Sequence, residues 1–505
     1  VHGHHYALVE VGGLEPGTTT AYDVRLDGRV VWPKPGSRFP PSVVRTFDAS
    51  RPLRLTFGSC RTSVPHTPAM NRTHGVDTLR AFAGRMAGQQ PDEWPDALLL
   101  VGDQVYADET SEEMQRLIAA RRDVDEEPGP ELADFEEYTY LYRLAWTDPA
   151  NRWLLSTLPS AMIFDDHDIR DDWNTSATWR EQMAAQPWWR DRIVGGLASY
   201  WVYQHLGNLS PVDRAEDPLL AAVRAADGDA GEILDEFARA SDEDPRHNRW
   251  SFARDFGRVR LVVLDSRAAR VLEPGQRTLI DDQEWAWFDA LARGDVDHLL
   301  IGTSLPYLLP TGIHHVEGWN EAVAEGAWGP RAARWGETVR QASDLEHWAG
   351  FRRSFDAMAR VVREVATGGR GRPPATIVFL SGDVHYSYLA RARVPGQGVR
   401  SSRIYQAVCS PIRNPLPQVV RYANGVASFG LARVVGRGLA RAARVRDPAI
   451  GWTVEHGPWF DNALATLMLD GRNATILWET GRPDGSAPDG DEETVHLEEL
   501  HRYGL

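Results

Sequence analysis

The chain has 505 residues, of which 42% are hydrophobic and 25% charged, proportions that fit a soluble globular protein and exclude a mostly disordered one. A formal net charge of −16 disfavours general affinity for nucleic acid or an anionic membrane, and no apolar stretch approaches the ~20 residues of a membrane span. Two cysteines, Cys60 and Cys409, cannot build a disulfide framework, and the single lysine, Lys34, excludes a lysine Schiff base or phosphate-loop lysine elsewhere.

Residues 1–50 read as a small β module. Tyr6 to Val11 alternates, Gly12 to Gly17 is a turn cluster, and Ala21 to Leu26 alternates again before Asp27-Gly28. The Leu14-Glu15-Pro16-Gly17-Thr18 run followed by Tyr22 resembles the late strands of a fibronectin type III domain. Such a sandwich needs about seven strands, so the module is expected either to be incomplete at its start or to be a β extension packed on the main domain. The chain opens on Val1 and shows no apolar targeting stretch preceded by basic residues, which points to the cytoplasm unless a leader lies upstream.

From residue 51 short apolar runs each stop at a polar cluster: Leu53–Phe57 at Gly58-Ser59-Cys60-Arg61, Ala97–Val101 at Gly102-Asp103-Gln104-Val105-Tyr106, and Ala161–Phe164 at Asp165-Asp166-His167-Asp168. Val259–Leu264 stops at Asp265-Ser266-Arg267, Leu299–Ile301 at Gly302-Thr303-Ser304, and Ile377–Leu380 at Ser381-Gly382-Asp383-Val384-His385. Runs of this length without alternation suit strands covered on both faces. Helices are expected over Asp77–Ala87, Asp281–Leu291 and Leu345–Val365. The segments 107–150 and 205–247 are acidic and helix-prone and read as surface insertions. Arg421 to Arg446 is a basic run, read as a solvated helix face ahead of a phosphate-binding patch. Ala463–Leu469 and Ala474–Trp478 flank a hairpin turn, and 482–493 is expected to be a flexible loop.

If those six strands are mostly parallel, their carboxyl ends share one sheet edge, where open α/β folds place ligands. The edge would gather Cys60, Asp103, Tyr106, Asp165, Asp166, His167, Asp168, Asp265, Asp383 and His385. Anions crowded in a protein interior are tolerable mainly with cations between them, and two metals sharing a bridging carboxylate would use most of these donors. Each piece alone has a structural explanation. A strand ending in Gly-Asp often supplies a helix-capping aspartate, a lone cysteine is commonly a small core residue, and His167 alone could be a satisfied structural histidine. Asp383 and His385, two apart, would point the same way on a strand. The recurrence at four strand ends is what favours a site.

Gly58-Ser59-Cys60, Gly102-Asp103-Gln104-Val105-Tyr106, Asp165-Asp166-His167-Asp168 and Ser381-Gly382-Asp383-Val384-His385, in this order, resemble the motifs of the alkaline phosphatase D family of metallophosphatases. Leu264-Asp265-Ser266-Arg267 and the stretch Asp344 to Phe351 look like further landmarks. The resemblance implies an α/β fold, a four-layer αββα metallophosphatase sandwich over 51–505 with the small β module at 1–50. It implies a two-metal centre of ferric iron and calcium, other divalent metals being alternatives, in which Asp103 bridges, Cys60 and Tyr106 serve the iron, and Asp166, Asp383 and His385 complete the ligands. Water activated there would attack a phosphate mono- or diester. His167 would face the substrate as the catalytic histidine, and Arg61 and Arg267 would clamp phosphate oxygens, salt bridges being the alternative for both. Phenolate and thiolate suit iron, and carboxylates suit calcium. The third motif ends in Asp168 where the family usually has glutamate. The donor-rich tract His314 to Asn320 is expected at the cleft mouth or in a loop packed by Trp319. No nucleic-acid or membrane partner is predicted. The competing reading is a non-catalytic module with structural metals that binds a glycan or protein partner.

Overall fold

The computed structural model describes residues 1–415, 431–485 and 491–505. Its strands in chain order are β1 (Thr19–Ala21), β2 (Val24–Leu26), β3 (Arg29–Trp32), β4 (Val43–Arg45), β5 (Leu53–Gly58), β6 (Ala97–Val101), β7 (Ser160–Ile163), β8 (Phe252–Phe256), β9 (Val259–Leu264), β10 (His298–Thr303), β11 (Thr376–Ser381), β12 (Ser387–Arg393), β13 (Arg403–Val408), β14 (Gly451–Trp459), β15 (Ala463–Asp470), β16 (Asn473–Pro483) and β17 (Val495–Gly504). All six apolar runs are strands, but they divide between two sheets instead of sharing one. β5, β6 and β7 run parallel within a six-stranded sheet ordered β17-β16-β15-β5-β6-β7. β9, β10 and β11 run parallel, with β13 beside them, in a seven-stranded sheet ordered β14-β12-β13-β11-β10-β9-β8. The remaining pairings in both sheets are antiparallel.

Side-chain alternation along the strands explains the layering. Leu99 and Val101 of β6 face the gap between the sheets with Leu55, Phe57, Val263, Leu300, Val378 and Leu380, forming one continuous core. Leu98 and Leu100 point the other way, onto Leu79, Phe82 and Met86 of helix Thr78–Ala87 and Trp153 of helix Pro149–Leu155. On the opposite outer face Val262, Ile301 and Phe379 meet Phe288 of helix Asp282–Leu291 and Phe355, Met358 and Val362 of helix Arg352–Thr367. Helix, sheet, sheet, helix is therefore the order of layers, and each fully buried Leu, Val or Phe contributes roughly 1.5–3 kcal/mol of transfer free energy. Asp77 and Asp281 cap two of the helices by accepting backbone N–H groups, and Gly368, left-handed at φ 90°, closes the third.

Several segments differ from expectation. Residues 345–351 do not continue the helix that begins at Arg352; they hold a 3₁₀ turn at Trp348–Gly350. The Glu346 carbonyl accepts from Arg270 and its carboxylate from Arg270 and Arg267, so buried arginines hold this segment in place of helical pairing. Tyr6–Val11 forms no strand, because no ladder partner lies beside it, and Val9 and Val11 are exposed. β1 pairs with β4 and β2 with β3 in two separate ladders. The module rests on the main domain through Phe39, stacked on Trp153 at 5.3 Å, and Pro40, whose carbonyl accepts from Trp153 Nε1. The tract His314–Asn320 lies on helix Thr311–Ala324 rather than in a loop. The 107–150 insertion is not all surface: Tyr138, Leu141 and Tyr142 form a core of their own with Val105 and Met114. Of the basic run, 421–430 lies outside the described residues and Leu431–Ala442 is a helix, whose Arg437 and Arg441 pair with Asp447. The hairpin is present and longer than expected. Of 482–493, Arg482 and Pro483 end β16, and 486–490 lies outside the described residues. Among the described residues no helix is long and apolar enough to cross a membrane.

Candidate metal centre

The carboxyl ends of the two parallel strand sets meet. After β5, Cys60 N donates to the Gly102 carbonyl at 3.1 Å and Arg61 N to the Asp103 carbonyl at 3.0 Å. The joint between sheets is Ser59, whose hydroxyl accepts from Asp383 N at 3.2 Å and whose carbonyl accepts from Ile412 N at 2.7 Å. A Cβ at Gly382 would lie 1.9 Å from Ser59 Oγ, so glycine is required for this approach. Immediately after the strands, Cys60 (φ 58°), Asp103 (φ 52°), Asp383 (φ 66°) and His385 (φ 54°) hold left-handed backbones, at a cost of about 1–3 kcal/mol each. Asp383 and His385 are therefore not neighbours on one strand face; β11 has ended, and the turn sends the two side chains to different partners.

Among the described residues three groups of donor atoms each gather within 4.8 Å: Cys60, Asp103 and His385; Asp103, Asp165 and Asp166; and Asp166, His167 and Asp171. Asp103 is common to the first two, and Asp166 to the last two. The Cys60 thiol is 3.3 Å and the Tyr106 hydroxyl 3.4 Å from Asp103 Oδ2. Asp103 Oδ1 and Asp165 Oδ2 are buried without a hydrogen-bond partner, which is costly unless something else satisfies them. Burial, opposed by His167 and reinforced by the charges of Asp166 and Asp165, pushes the Asp103 carboxyl well above the carboxylate range. Burial and the neighbouring Asp103 charge likewise push the Cys60 thiol up, and burial with Cys60 and Asp103 pushes up the Tyr106 phenol. Burial lowers His385 to about 4, so its ring is neutral and able to accept a cation. A cation inverts this logic: it stabilises each carboxylate and deprotonates a thiol outright. The residues present fit metal ions.

Asp383 stands apart from the three groups. Its Oδ2 is 2.9 Å from His347 Nε2, its Oδ1 is 3.8 Å from Arg267, and its carbonyl accepts from the Cys60 thiol at 3.6 Å. His167 is half-buried, with Nδ1 3.0 Å from both oxygens of Asp108. Burial works against its charge, but Asp108 and Asp166 outweigh burial and raise its pKa well above the ordinary value. Asp168 is structural: its Oδ2 accepts from the backbone N–H of Asp103 and of Asp165. Asp265 accepts from the backbone N–H groups of Arg267, Ala268 and Ala269.

The clamp expected of the two arginines is not what the structure shows. Arg61 is buried and donates from Nε and Nη2 to Asp77 Oδ2, at 3.0 and 2.7 Å, and from Nη1 to the Ala145 carbonyl. Arg267 is 0% exposed and binds Asp165, Asp166 at 3.0 Å and Glu346 at 2.6 Å. Both guanidiniums are engaged by buried carboxylates of the chain itself. Residues that sequence reasoning missed are Asp108, Asp171, Glu317 as a buried acceptor, Glu346 and His347. Asp108 lies two residues after Tyr106, and Glu346 and His347 lie within the Asp344–Phe351 landmark; neither position carries a pattern that names its partner.

A pocket of about 310 Å³ opens at this point, walled by Asp103, Asp166, His167, His347, Asp383 and His385. His167 and Asp171 also wall a cavity of about 1150 Å³, which Trp179, Arg277 and Arg340 line as well.

Comparison with known proteins bears on this geometry. A sequence model described as PhoD-like phosphatase matches residues 80–427, and one described as a domain of unknown function (DUF7800) matches residues 1–44. Cys60 and Arg61 lie upstream of the phosphatase match. Among curated protein sequences none matches the chain. A solved structure titled "Structure of PhoD" is similar over 92% of this chain and 74% of its own, with a TM-score of 0.51 at 11% identity, a likeness of fold. A purple acid phosphatase from yellow lupin (Lupinus luteus) seeds is similar over 90% of this chain and 55% of its own, with a TM-score of 0.42 at 10% identity. With the phosphatase match spanning more than half of its residues, the chain belongs to the PhoD-like phosphatase family and is a phosphohydrolase with a metallophosphatase fold.

Proposed function

We propose that the protein hydrolyses phosphate esters, diesters as well as monoesters, at a two-metal centre of iron and calcium. The observation that carries this reading is the sharing of Asp103 and Asp166 between neighbouring donor groups at one pocket. Cys60, Asp103, Tyr106 and His385 would hold the iron, since thiolate, phenolate and imidazole suit it. Asp103 and Asp166, with Asp383 at the pocket wall, would hold the calcium through oxygen. Bound there, the two cations would supply activation of water and neutralisation of the transferring phosphoryl group.

The chain's own residues supply the rest. Asp108 engages His167 at Nδ1, and Nε2, 3.9 Å from Asp171, would hold a proton for the leaving oxygen. Arg267 fixes Asp166 from behind, so that this carboxylate is oriented before anything binds. The 1150 Å³ cavity beyond His167 leaves room for a second ester substituent, which supports diesters.

Asp103→Asn removes the shared charge at nearly constant shape and is expected to abolish hydrolysis of p-nitrophenyl phosphate and bis-p-nitrophenyl phosphate, with the far-UV circular dichroism unchanged. Activity like the wild type in that variant would falsify the centre. Iron held by a tyrosinate absorbs visible light, so the iron-loaded protein should be coloured and Tyr106→Phe should bleach it. A colourless iron-loaded wild type removes Tyr106 from the ligands.

A further inference from the structure

Three histidines line the small pocket, His167, His347 and His385, and His347 has no place in the chemistry described so far. His347 sits in an extended segment just before the Trp348–Gly350 turn and is 8% exposed. Its Nδ1 is 2.7 Å from Glu317 Oε1, and its Nε2 is 2.9 Å from Asp383 Oδ2. Glu317 comes from helix Thr311–Ala324, which reaches the site from outside both sheets, and its side chain is fully buried. A glutamate from a remote helix, a histidine from a loop and an aspartate from a strand end thus form one relay to the pocket.

The relay acts on a residue that needs support. Asp383 holds a left-handed backbone beyond the end of β11, and its side chain remains partly exposed to the pocket. A carboxylate in that position would otherwise turn about its side-chain bonds. With Oδ2 bound to His347, Oδ1 is left without a hydrogen bond to the ring, 3.8 Å from Arg267. Both ring nitrogens of His347 are engaged by carboxylates, so His347 itself is not a donor to a metal. Glu317, by anchoring the far nitrogen, orients the ring toward Asp383.

We propose that Glu317 is a positioning residue: through His347 it fixes the Asp383 carboxylate at the pocket wall and so sets the affinity of the centre for its calcium ion. The proposal rests on the reading of Asp383 as an oxygen donor to that ion. Outer partners of metal ligands typically control about 10–100-fold in metal affinity, and the same range is expected here.

The test uses the full chain stripped with chelator and titrated calorimetrically with Ca²⁺ alone. Glu317→Gln, His347→Gln and the double variant are compared with the wild type, and chelated thermal unfolding reports whether each folds. Glu317→Gln and His347→Gln are each expected to weaken Ca²⁺ binding by 10-fold or more, with little change in the unfolding of the chelated protein. Because Glu317 acts only through His347, the double variant should bind no more weakly than His347→Gln. An unchanged Kd in folded Glu317→Gln, or losses that multiply in the double variant, overturns the relay while leaving the metal centre standing. A wild type that binds no Ca²⁺ overturns both. Should Glu317→Gln not fold, Asp383→Asn against Asp383→Asn/His347→Gln decides it: equal affinities support the relay and a further loss overturns it.

Discussion

Arg267→Met is the most demanding test of how the centre is held together. The side chain is 0% exposed and neutralises Asp165 and Asp166, with Glu346 as a third partner. Glu346 keeps Arg270 at 2.9 Å in the variant, but Asp165 has no other cationic partner among the described residues. Opposite unit charges 4 Å apart attract by about 4 kcal/mol at an effective dielectric of 20, and breaking a buried pair by removing one partner typically costs about 3–5 kcal/mol, chiefly because the other charge is stranded. Methionine fills most of the volume, so the loss is electrostatic and not a cavity effect. Urea unfolding of the chelated protein, followed by tryptophan fluorescence, should show a midpoint displaced by that 3–5 kcal/mol at constant slope. Arg502→Gln is the control: its partner Glu499 is half exposed, and such pairs contribute about 0–1 kcal/mol. Arg267→Lys should rescue only part, since a point charge cannot reach three carboxylates as a planar fork does. A loss in Arg267→Met no larger than in Arg502→Gln refutes the idea that this guanidinium is the scaffold's internal counter-ion.

Two further outcomes follow from the same geometry. Gly382→Ala should destabilise the protein by about 1–3 kcal/mol through overpacking and lower its metal content, because the new methyl group collides with Ser59; Ser59→Gly in the same chain should recover part of both, and thermal unfolding with elemental analysis reads them. Burial would raise Asp77, but Arg61 outweighs it and holds the carboxyl below its ordinary range, so the pair stabilises fully above the unfolded value of about 4 and progressively less below it. Asp77→Asn should therefore cost about 3 kcal/mol or more at pH 7, with the gap to the wild type narrowing in urea unfolding as the pH falls below about 4.

What could be read from the sequence follows the physics of burial. β5, β6, β9, β10 and β11 announce themselves because a strand covered on both faces must be apolar at every position, and the polar clusters that end them are where the cover stops. The same uniformity hides which strand lies beside which: Leu98–Val101 is as apolar toward helix Thr78–Ala87 as toward the facing sheet, so one sheet and two sheets read alike. β17 escaped because its sequence, Val-His-Leu-Glu-Glu-Leu-His-Arg-Tyr-Gly, belongs to an edge strand exposed along much of its length. That strand ends Cys60, Asp103, Asp166 and His385 gather at one place is legible in the sequence, since each follows a run that fixes its position.

Arginine shows where such reasoning stops. Arg61 and Arg267 occupy strand ends as the phosphate-clamping reading required, and their type and spacing are right for it. Whether a guanidinium at such a place meets substrate or scaffold depends on the carboxylates folded against it. Asp77 lies sixteen residues from Arg61, and Glu346 is carried to Arg267 by a segment that gave up its helix to reach it. The relay of Glu317 and His347 has the same origin: thirty residues and two kinds of structure separate them, and nothing in the tract or the landmark that holds each names the other as its partner. Donors that stand on strand ends are written in local pattern, whereas the groups that orient and neutralise them come from whichever element packs there. A site of this kind is therefore legible from the inside outward, and its supporting charges become visible only when the packing is known.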